Sequence, residues 1–291
     1  MRSFRHEPPR PPAPRPRLTR WAGRLDRLRE HPGARWVSTA GRELAGILMP
    51  RICVVCQRRD ATAEHLCHHC RQTVMPQLLH PERAESWAPS LPFIPGTDRP
   101  LPVVATGQYT RELARMILAF KDHSRTGLHR LLAPALARSM LVARDLVWDA
   151  VAQQYGTSAT QLPVVAVPIP SSAASWRRRG FDPLDTLVTR APVPGIIRQR
   201  QFLRHRWRLN ARTSHAGRTA AQRVTAAERK FWVRRGIAQQ LTGYPVMIVD
   251  DVLTTGATLA GATRVLEAAG WEVLAAAVIA TVEKHSHDDL S

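Results

Sequence analysis

The stretch VMIVDDVLTTGATL, residues 246–259, places two adjacent acids, Asp250 and Asp251, at the end of an apolar run and follows them with a threonine-rich turn around Gly256. A turn that opens a helix offers backbone N–H groups and the positive end of the helix dipole, which together suit a phosphate dianion. Gly256 lets the backbone approach closely, and Thr254, Thr255, Ala257 and Thr258 supply further N–H and hydroxyl donors. An acid pair aimed into the same pocket would repel phosphate. It makes sense if the carboxylates accept hydrogen bonds from neutral hydroxyls, such as the 2′- and 3′-OH of a ribose. A ribose 5-phosphate satisfies both halves of the stretch, and an ordinary βα turn with a capping threonine is the plainer alternative.

A second constellation is CVVCQRRDATAEHLCHHC, which holds all four cysteines of the chain: Cys53, Cys56, Cys67 and Cys70. Each C-x-x-C turn points two thiolates the same way, so two of them supply the four soft ligands of a tetrahedral zinc site. Disulfides are the alternative, and a reducing compartment disfavours them. His65, His68 and His69 are near enough in sequence to replace a cysteine ligand. A closed four-ligand site has no open position for catalysis, so its expected role is structural, in a segment too poor in apolar residues to fold alone.

The elements that must position these residues follow from the hydrophobic pattern. LPVVAVPIP, VMIVD and EVLAAAVIAT read as buried strands. Between the last two, ATLAGATRVLEAAG puts Leu259, Ala262 and Leu266 on one helical face with Gly270 as the terminal cap, which gives a parallel βαβ unit. In such sheets ligands sit at the carboxyl ends of the strands, where Asp250 and Asp251 fall. Upstream, Leu113, Met116, Ile117 and Phe120 recur at helical spacing and leave Arg111, Arg115 and Lys121 to solvent or ligand. Another apolar helix is expected over about 128–150. In VPIPSSAASWRRRGF the strand ends near Pro170. Ser171, Ser172, Arg177, Arg178 and Arg179 are expected in a loop before a helix that starts at Asp182-Pro183.

The chain has 291 residues and a formal charge of +19, with 42 basic residues of which three are lysines. That excess favours polyanionic partners: nucleic acid, a phosphorylated substrate or an anionic surface. Residues 198–235 are the most basic part, with eleven arginines and Lys230 against Glu228 alone; interleaved Trp207 and Trp232 could add base stacking to phosphate contacts. A solvated amphipathic helix at TAAQRVTAAERKF accounts for the same charges. No run approaches the roughly 18 apolar residues of a membrane span. The basic, Pro-rich residues 1–45 lack the apolar core of a secretory signal, so a disordered leader on a cytoplasmic protein is expected, with a short helix at RELAGILMP ended by Pro50. The tail KHSHDDLS is expected to fray.

The strand, acid pair and TTGxT turn at 246–258 resemble the 5-phosphoribosyl-1-pyrophosphate (PRPP) loop of type I phosphoribosyltransferases. Four cysteines, YTRELARMILAFK, VPIPSSAASWRRRGF and VDDVLTTGATL occur in the order seen in the ComF family, competence-protein-like phosphoribosyltransferases, over roughly residues 50–283. The resemblance implies an α/β fold: a type I phosphoribosyltransferase-like parallel sheet with flanking helices at 100–284, plus a small N-terminal four-cysteine zinc element at 46–80. It further implies pyrophosphate binding by Ser171, Ser172 and Arg177–Arg179, ribose and 5-phosphate binding by Asp250, Asp251 and Thr254–Thr258, and a mobile loop within 198–235.

The implied chemistry is transfer of a 5-phosphoribosyl group to a nitrogen base with release of pyrophosphate, assisted by Mg2+ carried with PRPP, and linked to DNA uptake or nucleotide salvage. Asp250 and Asp251 would favour the positive charge that develops on the ribose. Relatives carry Asn within an R-x-x-N pattern where this chain reads RVTAAERKF, and Asn where it has Asp182. These departures favour an alternative, a non-catalytic accessory protein that binds PRPP or single-stranded DNA for the uptake machinery.

Overall fold

The computed structural model describes residues 51–94, 96–122, 125–156, 162–199, 202–206, 230–234 and 241–282. The leader, the helix expected at RELAGILMP, all of TAAQRVTAAERKF but Lys230 and Phe231, Trp207 and the tail KHSHDDLS lie outside the described residues; Phe231 opens a strand and not a helix. In chain order the elements are α1 (His68–Val74), β1 (Glu82–Arg83), β2 (Val103–Gln108), α2 (Arg111–Asp122) and α3 (His129–Tyr155). There follow β3 (Val164–Pro168), α4 (Ala173–Arg179), α5 (Pro183–Thr189), β4 (Ile196–Arg198), β5 (Leu203–His205) and β6 (Phe231–Val233). The last are β7 (Val246–Val249), β8 (Val252–Leu253), α6 (Ala257–Glu267) and β9 (Val273–Thr281).

The central sheet has the order β1-β2-β9-β7-β3-β4, with β8 joined to β9, and a separate antiparallel pair is formed by β5 and β6. Every pairing in the central sheet is parallel except β1 with β2. The three strands expected from the apolar runs are β3, β7 and β9, and each is buried along its whole length. Continuous apolar runs arise because helices cover both faces of a parallel sheet. Alternate residues divide accordingly: Ala166, Met247 and Ala277 pack with α2, α3 and α5, whereas Val167, Ile248 and Ala276 pack with α6. The strand β2 was not among those expected, because its apolar part VVA gives way to the polar TGQ and it follows a Pro-rich stretch.

From β3 the chain crosses through α5 to β4, toward one edge of the sheet. It re-enters at β7, on the other side of β3, and crosses through α6 to β9, toward the opposite edge. β3 and β7 are thus neighbours whose onward connections diverge, and this opens a crevice beyond their carboxyl ends. Gly270, at φ +88°, follows the end of α6 in the left-handed conformation expected of a terminal cap.

The cysteine segment is part of the same body as the sheet. Cys53, Leu66, Cys67, Cys70 and Val74 share one apolar cluster with Leu113 and Phe120 of α2 and Leu132 of α3, within a compact unit that begins at Arg51. Arg115, left to solvent or ligand by the sequence pattern, instead donates from Nη1 to the Val55 carbonyl. On α2 the buried stripe is Leu113, Met116, Ile117 and Phe120, as the helical spacing predicts. The Phe120 ring meets Phe181 edge-on at 6.0 Å. No described helix is long and apolar enough to cross a membrane.

At Gly127 the turn before α3 passes close against the cysteine segment. A Cβ there would lie 2.2 Å from the Ala63 carbonyl oxygen and 3.0 Å from the His65 ring. Gly127→Ala is therefore expected to cost about 1–3 kcal/mol or more of stability, measured as a lower denaturant midpoint with an unchanged m-value.

Candidate functional site

The acid pair stands where β7 ends. The Asp250 N–H donates to the Ala277 carbonyl at 3.0 Å, and the Asp251 carbonyl accepts from Ile279 and Ala280 at 3.0 and 3.2 Å, so β9 pins the backbone of both. The Asp251 N–H donates to Asp250 Oδ1 at 2.8 Å. The next residues form β8 against β9, and Thr254, Thr255 and Gly256 turn into α6 at Ala257. Gly256 sits at φ +81°, and a Cβ there would meet Leu91 Cδ2 at 2.9 Å and the Leu91 nitrogen at 3.0 Å. Glycine is thus required twice, for conformation and for space. The Thr255 carbonyl accepts from the Ser90 N–H at 2.9 Å, so residues 90 and 91 brace the turn from behind. Their part in the site carries no sequence motif.

On the β3 side the structure corrects the expected loop. Residues 173–179 form helix α4, capped by Ser172, whose Oγ accepts from the Ser175 N–H at 3.2 Å, and closed by Gly180 at φ +76°. Seven residues without Gly or Pro between a serine cap and a left-handed glycine satisfy helix-start and helix-stop chemistry together. Consecutive helical residues point about 100° apart, so Arg177, Arg178 and Arg179 face different ways. Arg177 and Arg178 are exposed, while Arg179 turns inward and its Nη2 donates to Asp122 Oδ1 at 2.9 Å. The predicted start of α5 is found: Asp182 caps it by accepting from the Asp185 N–H at 3.2 Å, with Pro183 next. The other Asp182 oxygen accepts from the Ser171 N–H at 3.1 Å, which ties the turn after β3 to that cap.

Between the two strand ends lies a cleft of about 210 Å3, with Lys121, Ser171, Ser175, Arg179, Asp250 and Asp251 among its walls. Of the expected site residues it gathers Ser171, Arg179 and both acids; Ser172, Arg177, Arg178 and the turn Thr254–Thr258 stand outside its lining. Lys121, from α2, joins them and holds Asp251 Oδ2 at 2.5 Å from its Nζ. The helical pattern left Lys121 open to solvent or ligand, and its partner could not be read because some 130 residues separate the two. Burial, and then the charge of Asp251, push the Asp250 carboxyl up to about 8, against the opposing hydrogen bond from the Asp251 N–H and the charge of Lys121.

A wider cleft of about 510 Å3 adjoins the first, sharing Ile169, Pro170 and Ser171. Its other walls include Trp176, Asp182, Asp185, Arg204, His205 and Trp232. Trp176 and Trp232 are 54% and 41% exposed, unusual for tryptophan, and come from α4 and the β5–β6 ribbon.

The four cysteines form a separate centre, with all their Sγ atoms within 4.8 Å of one another and Cys56 3.6 Å from Cys67. Metal–sulfur bonds of about 2.3 Å put tetrahedral sulfurs about 3.8 Å apart, so the set fits a metal ion of the kind zinc exemplifies. No histidine belongs to the group, so His65, His68 and His69 do not enter the ligand set. Burial would raise the Cys53 thiol, but N–H donors of Cys56, Cys67 and Val55 bring it down to about 7. Burial pushes the Cys67 and Cys70 thiols up.

Asp250 generates a pH prediction. The folded chain keeps this proton up to about pH 8, whereas an unfolded chain releases it near 3.8, so stability falls as pH rises through that interval. Asp250→Asn, which retains the acceptor oxygen without the charge, is expected to raise the melting temperature of the unliganded protein more at pH 8 than at pH 5. An equal shift at both values would contradict the raised carboxyl.

Among comparisons with known proteins, no curated protein matches the chain. The family described as the phosphoribosyl transferase domain matches residues 145–290, from within α3 to beyond β9, and so includes both strand ends, the acid pair and the TTGAT turn. Half of the chain is covered, and the cysteine segment, β2 and α2 precede the matched stretch. The chain belongs to the phosphoribosyl transferase domain family.

Proposed function

We propose that the protein binds PRPP in the cleft between β3 and β7 and transfers its 5-phosphoribosyl group to a nitrogen base, as a member of the ComF branch linked to DNA uptake or nucleotide salvage. The observation that carries this reading is the acid pair and TTGAT turn at the carboxyl end of β7, where the connections of two neighbouring parallel strands diverge. In this reading the N–H groups of Thr254–Thr258 and the α6 N-terminus hold the 5-phosphate. Asp250 and Asp251 accept from the ribose hydroxyls, and Asp251 faces the positive charge that builds on the ring, as Asp250 does once it gives up its proton. Ser171 and Arg179 hold the pyrophosphate, and the exposed Arg177 and Arg178 take no part in first contact. Magnesium would arrive with PRPP, partly neutralise its phosphates and be held mainly by substrate and water.

A second reading, binding of single-stranded nucleic acid without transfer, is favoured by the two exposed tryptophans and Arg204 along the wider cleft. Its affinity should fall steeply with salt, unlike that for PRPP.

Calorimetric titration of PRPP with Mg2+ tests the main reading. The parent protein should bind, and the double variant Asp250→Asn/Asp251→Asn should bind about tenfold to a hundredfold more weakly; an absence of binding by the parent refutes it. Pyrophosphate release in the presence of a panel of bases then separates transfer from binding alone. For the cysteine centre, we propose structural zinc: freshly purified protein should carry one zinc per chain. Cys70→Ser should lose the metal and several kcal/mol of stability, and protein that is fully folded without metal would refute the assignment.

A further inference from the structure

Helix α2 lies ahead of the stretch matched by the family, yet its last two residues reach both halves of the cleft. Lys121 pairs with Asp251 on the β7 side at 2.5 Å, and Asp122 accepts from Arg179 on the β3 side at 2.9 Å. The residue just before them is anchored, since Phe120 is 1% exposed and its ring meets Phe181 edge-on. The helix itself is tied to the cysteine segment through Arg115 and Val55.

Charge in the cleft makes Lys121 more than a structural tie. The lining contains two cations, Lys121 and Arg179, and two acids, Asp250 and Asp251. PRPP would bring several negative charges into that space, beside acids that cannot neutralise them. Arg179 is committed on one side to Asp122, and its Nε is buried with no hydrogen-bond partner among the described residues. The partner of Lys121 is the carboxylate whose contacts must change when a ribose arrives. Side-chain exposures of 25% for Lys121 and 20% for Asp251 leave the pair open to the cleft. A four-carbon stem on a fixed backbone can carry the ammonium from one acceptor to another within the cleft.

Building on the proposed PRPP reading, we propose that Lys121 is a catalytic residue that exchanges Asp251 for the pyrophosphate group of PRPP. In the empty site it neutralises Asp251, and with PRPP bound the Asp251 carboxylate turns to the ribose hydroxyls while the ammonium moves to pyrophosphate oxygens, beside Arg179. When the bond from the anomeric carbon to the pyrophosphate oxygen breaks, its electron pair stays on that oxygen. The acceptor nitrogen supplies the pair for the new bond to carbon. Lys121 keeps its proton throughout and stabilises the charge that the leaving group gains.

The test measures binding of three probes, PRPP, inorganic pyrophosphate and ribose 5-phosphate, each with Mg2+, to the full chain, Lys121→Met and Lys121→Arg. Lys121→Met should weaken PRPP and pyrophosphate about tenfold or more while ribose 5-phosphate stays within about threefold, and Lys121→Arg should restore most of the loss. Equal weakening of all three probes would reduce Lys121 to a prop for Asp251 and overturn the proposal, as would unchanged PRPP and pyrophosphate binding in Lys121→Met. Failure of the parent protein to bind PRPP at all refutes the underlying function instead. Matching melting temperatures of parent and Lys121→Met show that the pattern does not come from unfolding.

Discussion

Two carboxylates held side by side at the end of a buried strand need positive charge, and the rest of the structure is arranged around that need. Asp250 and Asp251 cannot move apart, because their backbones are hydrogen-bonded to β9 on one side and run into the TTGAT turn on the other. Asp250 answers the constraint by holding its proton, pushed up to about 8 by burial and its neighbour. Asp251 answers it by pairing with Lys121. Both responses lower the negative charge that the acid pair presents to the cleft.

The demand for Lys121 propagates outward. That residue comes from the end of α2, whose last residues reach the cleft, so that helix must be held in place. The cysteine segment does this, sharing an apolar cluster with α2 and α3 and accepting the Arg115 hydrogen bond at Val55. The four-cysteine group, positioned to hold a metal ion, thereby helps to fix the helix that carries Lys121. The close approach of Gly127 to Ala63 shows how little slack that docking has.

On the opposite side of the cleft, short capped elements replace long ones. Ser172, Gly180 and Asp182 end and start α4 and α5 within a few residues, and Asp182 also holds the Ser171 N–H. Because that carboxylate already accepts two backbone hydrogen bonds, its role at this position is to fix the turn after β3, whatever it does for an acceptor base. The same short helix spreads three consecutive arginines around its axis and admits only Arg179 to the cleft.

The parallel sheet, the βαβ unit around α6, the helix carrying Leu113 to Phe120, the start of α5 at Asp182 and the grouping of the four cysteines were all legible in the sequence. Each rests on a local rule: the period of apolar residues, a capping residue, or the spacing of ligands within a turn. The strand β2 is masked in the sequence by its polar TGQ half and the prolines before it, and the arginine segment was expected as a loop although its caps spell a helix. What the sequence by itself determined is the chemistry available: an acid pair beside a phosphate turn, four thiols and an excess of guanidinium groups. What only the tertiary structure decided is which of these meet. Lys121 and Asp251, Asp122 and Arg179, and Gly256 and Leu91 are each brought together across the chain by packing, and packing depends on the whole core at once rather than on any neighbouring residues.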